Sequence, residues 1–562
     1  MTACRSFSKL WRWNALLLCL VLAAGCGGSG GGPSDVSPTS VTISGKVTFD
    51  RIPFAANAGG GLDPRSPIES PARGVVVEAI SGASAIATAT TNELGEYSLT
   101  VPSDTSMFIR VKAQMRKTGT SPTWDFRVVN NTNGRLYALD GSTFNSGTAD
   151  STRNLRAASG WTGTSYGETR AAAPFAILDT VYQAKELIHS VASVDLPALD
   201  LFWSPSNTPS VARFCVQSGD IGSTFYWIGG DDTDDCGAPV PEGIYILGNF
   251  SVGDTDEFDQ HVIAHEFGHY IEDKLSRSDS IGGEHGPGEK LDLRVAFSEG
   301  WGNAFSGMVL NDSVYRDSFD RFARDFNFDL EQDSGGAAQE GWYSEASVGE
   351  ILWDLFDAAN ESGDEVALGF GPILNAMTSG QRTTPALTSI FSFLQALREE
   401  VPSQSAAINQ LRNGEQISGT DAFGNGENNN GGDALNLPVY RSLELNDPQQ
   451  QPFCVRVSSG GDIGNKLGFS RFFRLDLASA RTVTITVVGT ADPGTPGSVA
   501  AQDPDIWVYR QGRVVAVGET SGQTEQLSQL QLSAGTYVIE AYDYRLGAGS
   551  TPRCMTIAVI GT

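Results

Sequence analysis

The chain has 562 residues, 40% of them hydrophobic, with 66 Asp+Glu against 38 Lys+Arg and a formal net charge of -28 at pH 7. The length excludes a single ordinary domain, since domains run to roughly 100–200 residues. The acidic balance argues against nucleic acid as a partner, because phosphate contacts need Lys and Arg. Solubility is the plain consequence of such acidity, and calcium sites are the sharper one.

In chain order, Arg5, Lys9 and Arg12 precede a short apolar run at 14–24, too short to span a bilayer. The run ends in Leu22-Ala23-Ala24-Gly25-Cys26, which resembles a bacterial lipobox, with Ala23 where Leu is usual. The resemblance implies that residues 1–25 are a lipoprotein signal peptide, that Cys26 carries the lipid, and that 26–40 is a flexible tether. The protein is then expected in the cell envelope, held to the outer membrane or cell surface by that lipid. Plain signal cleavage and release to the extracellular space is the alternative. Of seven Cys, Cys4, Cys19 and Cys26 fall in this segment, leaving Cys215, Cys236, Cys454 and Cys554. An even number in an exported chain predicts disulfides. Three pairings are open, and Cys215–Cys236 with Cys454–Cys554 is preferred because each pair stays within one expected domain.

Alternating runs at 41–47, 74–80, 96–101 and 108–112, separated by turn residues, predict a small β-sandwich over 41–115. Its Thr91-Asn92-x-x-Gly95-x-Tyr97-x-Leu99-x-Val101-Pro102 pattern resembles carboxypeptidase regulatory-like modules. The region 120–445 changes texture. A helical pattern at 175–191 and strands at 199–203 and 244–250 precede helices at 256–276, 291–310, 344–360 and near 385–399. Residues 446–562 return to alternating strands, at 471–477, 482–488, 505–509, 514–517 and 536–541. The Asp503-Pro504-Asp505-Ile506-Trp507-Val508-Tyr509 run and the stretch from Leu532 to Glu540 resemble bacterial pre-peptidase C-terminal domains. The expected fold is therefore multidomain: an α+β domain flanked by two β-sandwich domains.

The chemistry is concentrated in His265-Glu266-Phe267-Gly268-His269. On a helix, positions i and i+4 share one face, so two imidazoles can hold one tetrahedral Zn²⁺. The Glu beside the first His can take a proton from a water activated by the metal. Phe258, Val262, Ile263, Phe267, Ile271 and Leu275 recur at helical spacing, and Asp254 and Asp256 are expected at the helix N-terminus. For a third ligand, Glu299 lies thirty residues past His269 on a second apolar helix, and His285 in a Gly-rich loop is the alternative.

His-Glu-x-x-His followed by Glu299-Gly300-Trp301-Gly302 resembles the gluzincin zinc metallopeptidases, above all the thermolysin and fungalysin groups. Val348-Gly349-Glu350-Ile351-Leu352-Trp353 resembles a stretch of the fungalysins, and the likeness covers about 260–360. It implies a zincin-type domain in which His265, His269 and Glu299 bind zinc and Glu266 is the general base. Two positions depart from the family. Asn303 stands where an Asp usually orients a zinc-binding His, and its side-chain oxygen can still accept an N–H. No His precedes the 348–353 stretch to stabilise an oxyanion, which leaves Tyr343 as the expected catalytic donor and His285 as its rival.

Protein or peptide substrates, a membrane reached through lipid on Cys26, zinc, and calcium as a further cation complete the expectation. The calcium candidates are the Asp231–Asp235 acidic run and the Asn/Gly-rich stretch at 424–432; a solvated acidic turn and a flexible loop are the plainer readings of each. Two other functions compete with an endopeptidase: a catalytically degenerate surface binding or structural lipoprotein, and a zinc aminopeptidase. Against the aminopeptidase, Gly248-Asn249-Phe250 better suits a substrate-binding edge strand.

Overall fold

The computed structural model describes residues 39–56, 59–209, 212–332, 339–358, 365–457, 463–490, 502–549 and 551–561. The signal peptide, Cys26 and nearly all of the tether expected from the sequence lie outside them. Among the described residues no helix is long and apolar enough to cross a membrane.

A mixed sheet forms the spine of the first 250 residues. Along its main path the strands run Phe225–Trp227, Gly243–Ile246, Leu199–Trp203, Trp124–Asn130, Ser106–Lys117, Val75–Ser81 and Ser84–Thr90. A second sheet is built on the long strand Ser40–Arg51, paired antiparallel with Glu96–Pro102. The alternating burial of Glu96–Pro102 shows why: Tyr97, Leu99 and Val101 point inward and their neighbours face water. The sheet crosses the boundary expected near 115–120. Ser106–Lys117 pairs with Trp124–Asn130, which then pairs in parallel with Leu199–Trp203. Local alternation cannot reveal this, because the second pairing joins strands some seventy residues apart.

Helices α1 (Ala173–Val191) and α2 (Gln260–Leu275) pack on this sheet, α3 (Leu293–Leu310) packs on α2, and α4 (Glu345–Asp354) packs on α3. Pro174 sits in the first turn of α1, where its missing N–H costs nothing. α2 and α3 are buried nearly all round. Trp301 of α3 donates its indole N–H to the Gly268 carbonyl of α2 at 2.9 Å, which fixes the register between them. Phe126 of the sheet meets Phe267 of α2 edge to face, with ring centroids 5.6 Å apart. One continuous apolar core runs from Val41 through these helices to Tyr440 and on to Phe472, Tyr509 and Val538 of the C-terminal part.

The C-terminal part is a two-sheet β-sandwich. One sheet is ordered Tyr440–Leu443, Arg471–Leu477, Gly535–Asp543, Pro504–Arg510, Arg513–Gly518; the other Gln451–Val455, Arg553–Gly561, Arg481–Thr490, Thr524–Leu532. It has its own core around Val455, Phe473, Ile485, Ile506 and Ile539. Both preferred disulfides are present, Cys215–Cys236 and Cys454–Cys554, the second between directly opposed residues of neighbouring strands.

The sandwich is not loosely attached. Arg294, in the first turn of α3, is fully buried and donates to Asp292 and to both oxygens of Glu540, at 2.9 Å each for Glu540. Ser470 and Tyr509 also donate to Glu540. The loop at Asn465 adds a second brace: the Asn465 amide donates to the carbonyls of Gly282 and Glu284, at 3.0 Å each.

Candidate metal centre

α2 presents His265 and His269 on one face, and α3 brings Glu299 opposite them. Their ligand atoms lie within 4.8 Å of one another. The imidazole Nε2 atoms are 3.0 Å apart, and Glu299 Oε2 is 3.2 Å from His265 Nε2 and 3.4 Å from His269 Nε2. A tetrahedral zinc with bonds near 2.0–2.1 Å puts its ligand atoms about 3.3 Å apart. The three donors therefore have the spacing and type that zinc takes.

The other ring nitrogens are tied down. His265 Nδ1 donates to Asn303 Oδ1 at 2.9 Å, so the amide oxygen orients the imidazole without a charge. His269 Nδ1 meets Ser298 Oγ at 3.2 Å, and that hydroxyl donates to Glu272 at 2.7 Å. Ser298 and Glu272 escaped the sequence reading. The signal for them was present, since Glu272 is one helical turn past His269 and Ser298 adjoins Glu299. Burial acts to raise the Glu299 pKa, but His269, His265 and His285 outweigh it and hold the carboxyl well below the usual range.

Gly302 explains part of the Gly-Trp-Gly run. A Cβ there would stand 2.7–2.8 Å from atoms of the His265 ring, so only glycine lets the two helices close around it.

Glu266 is buried, and one of its carboxylate oxygens accepts the backbone N–H of Tyr226 at 2.7 Å. Burial raises its pKa, with His265 and His269 acting the other way. Tyr226 lies in Phe225–Trp227, the edge strand of the mixed sheet. The stretch Gly248-Asn249-Phe250 does not fill that place: the strand ends at Ile246, and Asn249 instead caps a short 3-10 turn.

Tyr343 is not brought into the cluster. Its side chain is 2% exposed, and its hydroxyl is engaged by the Glu340 carbonyl at 3.0 Å and by Asn429 Oδ1 at 2.9 Å. The Asn-rich loop at 424–432, read as flexible or ion-binding, folds over this phenol. His285 takes the position instead. Its Nε2 is 3.2 Å from Glu299 Oε2 and its Nδ1 is 2.8 Å from Glu345 Oε2. Burial lowers the His285 pKa, but Glu299 and Glu345 outweigh it and push it up to about 10. The expectation of Tyr343 ahead of His285 is therefore corrected: the Gly-rich loop carrying His285 has no periodicity to place it, and the fold brings it to Glu299 while Tyr343 turns inward.

The other two histidines and the Asp231–Asp235 run lie in structural bonds outside the centre. His189 bonds the Val194 carbonyl at 3.1 Å, and His261 is buried against Ser306 at 3.1 Å. The Asp231–Asp235 run is a turn: Asp234 accepts backbone N–H groups of Val216, Cys236 and Ala238, which uses its oxygens. The cavity of about 1060 Å³ beneath Trp161, Tyr166, Phe250 and Phe322 contains none of the centre's residues. Within the centre, His285 and His269 are the more exposed side chains, at 30% and 16%.

Residues 227–407 match the family described as the Mycolysin C-terminal domain. The match falls on the central α+β region and includes α2, α3 and the whole centre. It makes the protein peptidase-associated. No curated protein matches the chain. Among solved structures, the pre-peptidase C-terminal domain of a collagenase from Bacillus anthracis is 13% identical over 21% of this chain and 93% of its own, with a TM-score of 0.15. CorA, a surface-associated copper-binding protein of Methylomicrobium album BG8, is 11% identical over 21% of this chain and 96% of its own, with a TM-score of 0.16. PliG of Aeromonas hydrophila, a periplasmic inhibitor of g-type lysozyme, is 12% identical over 22% of this chain and 97% of its own, with a TM-score of 0.14.

Proposed function

We propose that this protein is an exported zinc metalloendopeptidase of the gluzincin type, anchored to the cell envelope through lipid on Cys26. The observation that carries the catalytic part is the convergence of His265, His269 and Glu299 at tetrahedral spacing with the Glu266 carboxylate alongside. The family match over residues 227–407 supports the same reading.

Zinc held by these three residues would supply a Lewis acid that polarises a peptide carbonyl and acidifies a water. Glu266, oriented by the Tyr226 N–H, accepts the proton of the attacking water and passes it to the leaving nitrogen. Its burial raises its proton affinity and so suits it to both halves of that transfer. His285, kept protonated by Glu299 and Glu345, donates to the oxygen that gains charge. Asn303 and Ser298 hold the two ligand imidazoles in the tautomer that leaves Nε2 bare.

The test is metal content and casein hydrolysis, with and without a chelator, for the wild type and Glu266→Gln. Glu266→Gln should retain its zinc and lose at least about 100-fold in rate. Full hydrolysis by that variant would refute the assignment of the base. A wild type that binds zinc but cleaves nothing would favour the degenerate binding protein.

A further inference from the structure

A second acidic cluster lies at the base of the catalytic helices. Asp254 and Asp256 belong to the loop that enters α2, and Asp317 to the hairpin Val314–Phe319/Arg324–Asp329 that follows α3. A ligand oxygen from each lies within 4.8 Å of the other two. Asp259 stands beside them and repels Asp317 most strongly of the charged groups around it.

Asp256 and Asp259 are buried and Asp254 and Asp317 half-buried, yet all four are incompletely bonded. Asp256 is 3% exposed and Asp259 is 0% exposed. Asp256 Oδ2 accepts from the Thr224 hydroxyl, and Asp259 Oδ2 accepts from Ser318 Oγ at 2.7 Å. The second oxygen of each, Oδ1, is buried with no hydrogen-bond partner, as are Asp254 Oδ1 and Asp317 Oδ1. Among the described residues no Lys, Arg or His is paired with any of the four, and Arg170 nearby is taken by Glu257 at 2.6 Å. Buried carboxylates need a counter-charge or a proton. With no cation at hand, burial, with a smaller push from Glu257, raises Asp254 to about 6, and burial with repulsion by Asp254 raises Asp317 to about 7.

We propose that Asp254, Asp256 and Asp317, supported by Asp259, are the oxygen cage of a structural Ca²⁺ that clamps the hairpin against the entrance of α2. The donor set is all hard oxygen, with no imidazole or thiolate, which selects calcium over zinc. The clamp would bear on the metal centre through Tyr315, whose ring in that hairpin lies 6.1 Å from His265 and 5.4 Å from His261. The inference does not depend on the peptidase reading.

The full chain, stripped with EDTA, would be titrated with calcium chloride alone and followed by calorimetry and thermal unfolding. Wild type and His265→Ala should both bind calcium and gain roughly 5–10 °C in Tm at about a hundred-fold excess over Kd. Asp256→Asn and Asp317→Asn should each bind roughly ten-fold or more weaker. Without calcium the two Asn variants should melt at or above the stripped wild type, because one repelling charge is gone. No binding heat and no Tm shift in the wild type would overturn the proposal, leaving carboxylates that share protons. Equal calcium responses in the wild type and both Asn variants would also overturn it, by locating the ion elsewhere.

Discussion

At the scale of single residues, the proposed zinc site depends on groups outside its three ligands. Asn303 accepts the His265 Nδ1–H where the resembled families use a carboxylate. It therefore fixes the tautomer but adds no negative charge to make the imidazole a stronger ligand. Asn303→Ala should weaken zinc binding roughly 10–100-fold, and Asn303→Asp should bind at least as tightly as the wild type. A competition titration with a zinc chelator measures both. Equal affinity in all three proteins would mean that packing against Gly302 alone orients His265. Asn303 could be read from its place four residues past Glu299. Tyr343 is ranked ahead of His285 by the sequence and the structure reverses that order, since it depends on which way two loops fold.

At the scale of elements, most strands and helices follow from periodicity, and the departures come from non-local partners. The predicted strand 471–477 is the observed Arg471–Leu477. Helix 256–276 is shorter, Gln260–Leu275, because Asp254 and Asp256 turn into the acidic cluster instead of capping the helix. Asp259 occupies the N-cap position without a side-chain cap bond, its Oδ2 being held by Ser318. The hairpin carrying Asp317 was not foreseen; its Val314–Phe319 and Arg324–Asp329 strands are rich in charge and pair only with each other. This element yields a pH prediction. Asp317 is raised from the ordinary 3.8 to about 7 by burial, then by Asp254; Asp256, Asp259 and Tyr315 also surround it. The folded state thus holds its proton more tightly than the unfolded chain does. That stabilisation is complete below pH 3.8 and is lost as pH rises through about 7. Calcium-free wild type should therefore lose stability between those limits more steeply than Asp317→Asn. Parallel curves of Tm against pH for the two proteins would contradict this.

At the scale of the whole molecule, the C-terminal sandwich is bolted to the helix that carries Glu299. Glu540→Ala would leave the buried Arg294 with Asp292 alone and should cost about 3–5 kcal/mol of stability, measured by urea unfolding. A cost below roughly 0.5 kcal/mol would mean that the buried pair does not hold the sandwich in place. The sequence separates this region by its return to alternation. It carries no sign of the Arg294–Glu540 contact, which spans 246 positions along the chain.

By itself the sequence determined the local chemistry. The His-x-x-x-His spacing on a helix, the Glu beside the first His, the Glu on a second apolar helix and the even cysteine count are all short-range patterns with a direct physical meaning. Only the tertiary structure decided which distant groups meet. It turned Tyr343 inward, brought His285 to Glu299, joined the N-terminal strands to the sheet beside α2, and gathered Asp254, Asp256 and Asp317 around one point. The reason is that periodicity reports which side of an element is buried, whereas the partner on that side is set by packing across tens to hundreds of residues.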